Sequence, residues 1–346
     1  MKIAFFDAKE YDIYYFNKAN IYSNHEITYF KENLTIENVS LAKGFDAICA
    51  FVNTSGDKFI LELLSKYNVK YWLQRSMGYN KVDLKHAKKV NIKVFRVPNY
   101  SASSVAEFAL TTMLALNRKI PQAISKVKKY NFSLNDLNGK NVENSIIGVI
   151  GAGQIGQEFI IMAKGLKAKV IVYDQYMQVH NFELAKKMNF EYVSFLTLIK
   201  NSDFISIHAP LLPSTKYIID KHAIKHMKND VIIVNTARGE IINLSDIIEA
   251  LKNKKIGGLA VDVLEREEGR FYNDISELAK DIQKIDKEWK ELLEFENVIV
   301  TSHQAYLTDI SLEQIAKITL ENADMAQKND FTKALELLEN GKVVNG

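Results

Sequence analysis

The chain has 346 residues, 47% of them apolar and 25% charged, which is enough to bury more than one hydrophobic core and excludes a disordered or fibrous protein. Its net charge of +3 is small for this length and its lysines are scattered among acids, so nucleic acid is not expected as a partner. The single cysteine, Cys49, cannot build an intramolecular disulfide framework, the start MKIAFFDAKEYD lacks a signal-peptide pattern and no run approaches a membrane span, so the cytoplasm is the expected address.

Four prolines and fifteen glycines punctuate the chain, so the element boundaries come from alternation of element types. KIAFFDA, EITYF, DAICAFVN, KYWLQR and IKVFRV read as short buried strands, with helix-like segments such as DKFILELLSKYN and DLKHAKKVN between them. Strands alternating with amphipathic helices imply a parallel α/β sheet. A helix from about Ser101 to Lys119 follows, and KVKKY near residue 128 reads as a solvated helix face. The alternation then restarts with SIIGVI, KVIVYD, FISIHAP, VIIVNTAR, GGLAVDV and NVIVTSH, which makes a second α/β unit. The last amphipathic stretch, SLEQIAKITLENADMAQK, has no strand after it and is expected to pack back on the first unit.

The restart carries the best local motif. SIIGVI runs into Gly151, Gly153 and Gly156 of GAGQIG, a helical segment follows, and the next strand, KVIVYD, ends in Asp174. Such glycines permit a tight turn and close approach of backbone N–H groups to a pyrophosphate at a helix N-terminus, and an acid about twenty residues on can bind both ribose hydroxyls. Asp174 would repel a 2′-phosphate and neither Gln175 nor Tyr176 offers a cation to hold one, which favours NAD over NADP.

A dinucleotide site implies redox chemistry. For a small 2-oxo acid the site needs a cation for the carboxylate and carbonyl, an acid for the carbonyl oxygen, and a group that tunes that acid. Arg238 closes VIIVNTA, Asp262 and Glu267 follow the next strand, and His303 closes the one after. Three consecutive strands thus deliver an arginine, acids and a histidine to the edge where open α/β sheets bind ligands. Taken singly, Arg238 reads equally as a surface residue capping the sheet, the acids as a solvated loop, and His303 as an ordinary strand-end histidine.

Taken together, VKYWLQRSMGYNKVDL, RVPNYSASSVAEFAL, GVIGAGQIG, SIHAPLLPST, MKNDVIIVNTARGEI, ALKNKKIGGLAVDVLEREEGRFYND and NVIVTSHQAYLT, in this order, resemble the D-isomer-specific 2-hydroxyacid dehydrogenases, and among them the D-lactate dehydrogenases. The resemblance implies two Rossmann-like parallel-sheet domains of the α/β class. An NAD-binding domain of residues 101–303 would be inserted in a substrate domain of residues 1–100 and 304–346, with catalysis in the cleft and hinge closure excluding water. It carries the catalytic roles onto Arg238, Glu267 and His303, and cofactor contacts onto Gly151, Gly153, Gln154, Ile155, Gly156, Asp174, His208, Ala209, Pro210, Thr236, Ala237 and Asp262, the last for the nicotinamide carboxamide. Substrate contacts fall on the backbone near Met77 and Gly78 and on Tyr100, Arg238, His303 and Tyr306. The resemblance further implies NAD as cofactor, a homodimer, and reduction of pyruvate to D-lactate with His303 as general acid. A larger 2-oxo acid, or an NAD-sensing binding protein on the same fold, are the alternatives.

Some positions depart from the family pattern. Ser101-Ala102 stands where proline commonly follows serine or aspartate, Lys167 replaces a frequent glycine, and ENSIIGVIG lacks a usual glycine before the glycine turn. None has a proton-transfer role. His222 and His226, four apart, read as a solvated helix face, since no glutamate follows the first and no third ligand is evident; no metal is expected.

Overall fold

The computed structural model describes residues 1–267, 269–278, 286–330, 335–338 and 341–342. Glu268 of EREEGRFYND, and residues 279–285 of the stretch leading to EFENVIVTSH, lie outside them. The chain forms two compact units, Met1–Ser101 with Leu307–Gly346, and Ala102–Tyr306.

The first unit is built on a five-stranded parallel sheet in the order β2-β1-β3-β4-β5. The strands are β1 Lys2–Phe5, β2 Glu26–Tyr29, β3 Ala47–Ala50, β4 Tyr71–Gln74 and β5 Lys93–Arg96. β3 and most of β4 are buried, as parallel strands covered on both faces must be. Trp72, Phe6, Ile48, Leu61 and Leu64 share one core cluster, and burying each such side chain contributes roughly 1.5–3 kcal/mol. Helix Lys58–Lys66 starts at Asp57, whose carboxylate accepts the N–H groups of Phe59 (2.9 Å) and Ile60 (3.1 Å); such a cap is worth about 1 kcal/mol. The long helix Asp309–Lys328 packs on helix Glu10–Ser23. Ser23 Oγ donates to Asp324 at 2.8 Å, and Tyr71 Oη donates to the Ala326 carbonyl at 3.1 Å.

The second unit has a seven-stranded parallel sheet in the order β12-β11-β10-β9-β6-β7-β8. Its strands are β6 Ile146–Ile150, β7 Lys169–Tyr173, β8 Glu191–Tyr192, β9 Phe204–Ile207, β10 Val231–Asn235, β11 Ile256–Val261 and β12 Val298–Val300. The five residues of β10, VIIVN, are all buried. One face of the sheet is covered by helices Ala102–Asn117 and Gln154–Gly165, through Ala106, Ala109, Met113 and Phe159, and the other by a cluster that includes Ile247, Leu251, Trp289 and Leu292. The chain leaves β6 in opposite directions to reach β7 and β9, which puts a topological switch point at the carboxyl end of β6, where such sheets bind ligands. Residues 304–306 belong to this unit, where the Asp262 carboxylate accepts the N–H groups of Gln304 and Ala305. Among the described residues, no helix is long and apolar enough to cross a membrane.

Lys167, in place of the family's frequent glycine, has φ 61°, a left-handed conformation that disfavours a Cβ.

Candidate active site

The carboxyl edge of the seven-stranded sheet collects most of the residues singled out in the sequence. In the sheet register Ile150 faces both Tyr173 and Ile207, so Gly151, Asp174 and His208 follow neighbouring strand ends. Asn235 faces Val261, and Val261 faces Val300, so Arg238, Asp262 and His303 leave three adjacent strands.

Gly151 has φ 99°, and a Cβ there would meet Ala209 N at 2.7 Å; a Cβ on Gly156 would lie 2.1 Å from the Gly151 carbonyl oxygen. Both positions therefore require glycine. Gly153, the N-cap of helix Gln154–Gly165, faces open space, so the first N–H groups of a twelve-residue helix stand where an anion can approach. The Asp174 carboxylate accepts the Ala152 N–H at 2.8 Å and the Met177 N–H at 2.9 Å. It closes the glycine turn and caps the next helix, with lone pairs to spare.

Two buried polar atoms at this edge have no hydrogen-bond partner among the described residues, His208 Nδ1 and Thr236 Oγ1. Burial pushes the His208 imidazole down to about 3, so it is neutral at physiological pH, and its Nε2 lies 2.9 Å from Ser206 Oγ. A glycine cradle open at a helix N-terminus, an acid beside it and two orphaned polar atoms fit a dinucleotide. Gln154 and Ile155 open the same helix, and Ala209, Pro210 and Ala237 continue from β9 and β10.

His303 has the left-handed conformation (φ 56°) and is clamped on three sides. Its N–H donates to the Asp262 carbonyl (2.9 Å), its own carbonyl accepts from Tyr272 Oη (3.2 Å), and Nδ1 lies 2.9 Å from Glu267 Oε2. Glu267 Oε1 accepts the Leu264 N–H at 2.8 Å, so the carboxylate is oriented from both ends. Asp262 is 2% exposed. Besides the N–H groups of Gln304 and Ala305, its carboxylate accepts Thr301 Oγ1 at 2.6 Å. Burial raises its carboxyl above the ordinary aspartate range, against the opposing pull of those hydrogen bonds. Arg238 Nη1 donates to the Ala237 carbonyl at 2.6 Å, and its own carbonyl accepts from Asn235 Nδ2 at 2.8 Å.

Met77 and Gly78 lie on the loop after β4 in the first unit, where Arg96 Nη1 donates to the Met77 carbonyl (3.0 Å) and Ser76 Oγ to the Gly78 carbonyl (2.8 Å). Tyr100 follows β5 in that unit, and Tyr306, which is buried, closes the second. Among the described residues no three His, Cys, Asp or Glu side chains are grouped to hold a metal ion. Sequence reasoning missed Tyr272, Thr301 and Asn235. Tyr272 and Asn235 act on the backbone carbonyls of His303 and Arg238, and Thr301 on the Asp262 carboxylate, and no side-chain pattern announces that.

Residues 110–305 match the model of the NAD binding domain of the D-isomer specific 2-hydroxyacid dehydrogenases, so the second unit is the cofactor domain of an NAD-dependent oxidoreductase. The whole chain belongs to the D-isomer-specific 2-hydroxyacid dehydrogenase family. It is 39% identical over 330 residues to the D-lactate dehydrogenase of Escherichia coli K12, covering 95% of this chain and 98% of that protein. The apo-structure of the Escherichia coli D-lactate dehydrogenase superposes with a TM-score of 0.85 at 37% identity, over 95% of this chain and 98% of that one. The D-lactate dehydrogenase with NAD+ from Lactobacillus jensenii gives 0.79 at 32% identity, over 99% and 98%.

Proposed function

We propose that the protein reduces pyruvate to D-lactate, with Arg238 gripping the 2-oxo acid and His303 as the proton donor. The observation that carries this reading is the 2.9 Å contact between His303 Nδ1 and Glu267 Oε2. A carboxylate can only accept, so Nδ1 keeps its proton and Nε2 is the atom that exchanges one. Glu267 fixes the ring with Nε2 free of that contact. Arg238 has no carboxylate within ion-pair distance among the described residues, so its charge is available to an anionic substrate, and its planar fork suits a carboxylate and carbonyl together. Bound NADH supplies the hydride for the carbonyl carbon. As the carbonyl π pair moves onto oxygen, the His303 imidazolium gives that oxygen its Nε2 proton, and the neutral ring stays bonded to Glu267 through Nδ1.

Asp262 holds the turn that presents His303, and the nicotinamide-facing role that the resemblance gives it falls to whichever lone pairs the turn leaves over. Met77, Gly78, Tyr100 and Tyr306 keep the substrate-binding roles, and the glycine turn, Asp174, His208 and Thr236 the cofactor roles, that the resemblance gives them. The D hand and the choice of pyruvate rest on the likeness to D-lactate dehydrogenases.

A homodimer is part of this proposal. Helix Ile120–Lys128 has no buried residue, and Ile120, Ile124 and Val127 are exposed together with Tyr130, Phe132 and Leu134, an apolar surface of the kind a second subunit covers. The cytoplasm is proposed as its compartment, in keeping with a lone, free, buried cysteine. The test is NADH oxidation over a panel of 2-oxo acids, with chiral analysis of the product. Pyruvate as the best substrate and D-lactate as the product are expected; L-lactate, or a strong preference for a bulkier acid, would reject the assignment.

A further inference from the structure

Glu267 sits on a loop that carries two left-handed residues other than glycine. Arg266 and Tyr272 both have positive φ, 63° and 66°, at a cost of roughly 1–2 kcal/mol each for residues with a Cβ. The loop folds back on itself, with the N–H groups of Arg270 and Phe271 donating to the Glu267 carbonyl at 3.0 and 3.1 Å. Besides Phe271 in the core and the Tyr272 bond to the His303 carbonyl, it is anchored from outside by Asp286, which is 4% exposed. One Asp286 oxygen accepts the Trp289 N–H at 3.1 Å and so caps helix Lys287–Glu294. The other lies 2.6 Å from Arg270 Nη1 and 3.6 Å from Arg266 Nη1.

Both arginines have further contacts on the same helix. Arg266 Nη2 donates to Glu288 at 2.6 Å, and the Arg270 guanidinium lies 4.6 Å from the centre of the Trp289 ring. The helix is itself fixed to the core through Trp289 and Leu292. Burial opposes the Asp286 charge, yet the Arg270 and Trp289 hydrogen bonds and the two guanidinium charges hold its carboxyl below the ordinary range.

We propose that Asp286 is a positioning residue for proton transfer: by gripping Arg266 and Arg270, which flank Glu267, it holds the Glu267 carboxylate at hydrogen-bond distance from His303. The proposal rests on the reading of Glu267 as the partner of His303. A loop released from Asp286 keeps Glu267 in the chain but lets its carboxylate drift, and a drift near 1 Å is costly for a proton-transfer geometry.

The experiment is a double-mutant cycle in pyruvate reduction, with NADH affinity measured alongside. Asp286→Asn retains a capping side chain and loses the charge; Arg266→Ala, at a half-exposed position, removes one arm without touching the helix cap. Each should lower kcat by about 10- to 100-fold, with NADH binding held within about twofold, and neither should lower it further in a Glu267→Gln background. Equal losses in both backgrounds, or no loss from either variant, overturn the proposal and leave the Glu267 reading standing. A fully active Glu267→Gln enzyme overturns that reading and the proposal together.

Discussion

Asp262 and His303 are joined through the backbone, the histidine N–H donating to the aspartate carbonyl at 2.9 Å, while the Asp262 carboxylate takes the N–H groups of the two residues that follow the histidine. One buried side chain thereby shapes the turn that presents His303. Asp262→Ala strands the buried N–H of Ala305, at about 1–3 kcal/mol for a buried unpaired group, and removes an acceptor from the part-buried Gln304 N–H and Thr301 hydroxyl. Urea unfolding should show a loss of about 1–3 kcal/mol; a loss well under about 1 kcal/mol would mean that the turn holds without its acid.

His303→Gln should leave NADH affinity nearly intact and slow pyruvate reduction by about 10² to 10⁴, the usual worth of a positioned proton donor. Adding Glu267→Gln should cost little more, because residues that act as a unit do not add. Steady-state rates of the single and double variants decide this, and simple additivity would separate the two residues functionally.

Asp174→Ala removes both the acceptor proposed for the ribose hydroxyls and the acceptor of the Ala152 and Met177 N–H groups. NADH binding should weaken by about 10-fold or more, given 1.5–3 kcal/mol for a hydrogen bond to a charged group, and the preference for NADH over NADPH should narrow as repulsion of the 2′-phosphate is relieved. Titrations with both cofactors measure the ratio. An unchanged ratio would show that Asp174 serves only the turn and the cap.

The neutral His208 makes the fold sensitive to acid. Its folded-state value, about 3, lies below the roughly 6.5 of an unfolded histidine. Between these values the unfolded chain binds more protons, so stability rises with pH: the contribution is complete above about 6.5 and is lost as pH falls toward 3. A fully enclosed ring would give about 1.4 kcal/mol per pH unit; the residue is only partly buried although its Nδ1 is enclosed, so a smaller slope is expected. In unfolding measured from pH 7 to 4.5, His208→Asn should show a flatter dependence than the parent, and parallel curves would remove His208 from the account.

Lys167 holds a left-handed backbone, and its ion pair to Glu143 at 3.2 Å joins two largely exposed side chains and so is worth little. Lys167→Gly should raise stability by about 0.5–1 kcal/mol, the relief of Cβ strain less the added freedom of the unfolded chain. A lower thermal midpoint for the glycine variant would count against strain at this position.

Parallel strands were legible because burial on both faces makes each a continuous apolar run, as in IIGVI and VIIVN, and the glycine turn was legible because its steric demands admit few residues. Arg238, Asp262 and His303 could be placed because strand ends in such a sheet share one edge. Short polar helices such as Gln175–His180 and the two-residue β8 have too little periodicity to be read. The grip of Asp286 on Arg266 and Arg270 spans 20 and 16 positions through charges that look like any solvated loop, and the Tyr272 hydrogen bond to a backbone carbonyl leaves no trace in side-chain pattern.

The first unit draws on both ends of the polypeptide, since helix Asp309–Lys328 packs on helix Glu10–Ser23 and the Leu337 N–H donates to the Val94 carbonyl at 2.7 Å. During synthesis the five N-terminal strands therefore emerge some two hundred residues before the segment that covers helix Glu10–Ser23. At ribosomal speeds of about 5–20 residues per second the nascent sheet waits for tens of seconds with an apolar flank uncovered, the time taken to make the intervening unit, which ends at Tyr306, just before the covering helix begins. The N-terminal strands of the first unit are thus made early and their unit is completed late, because the second unit lies between its two segments.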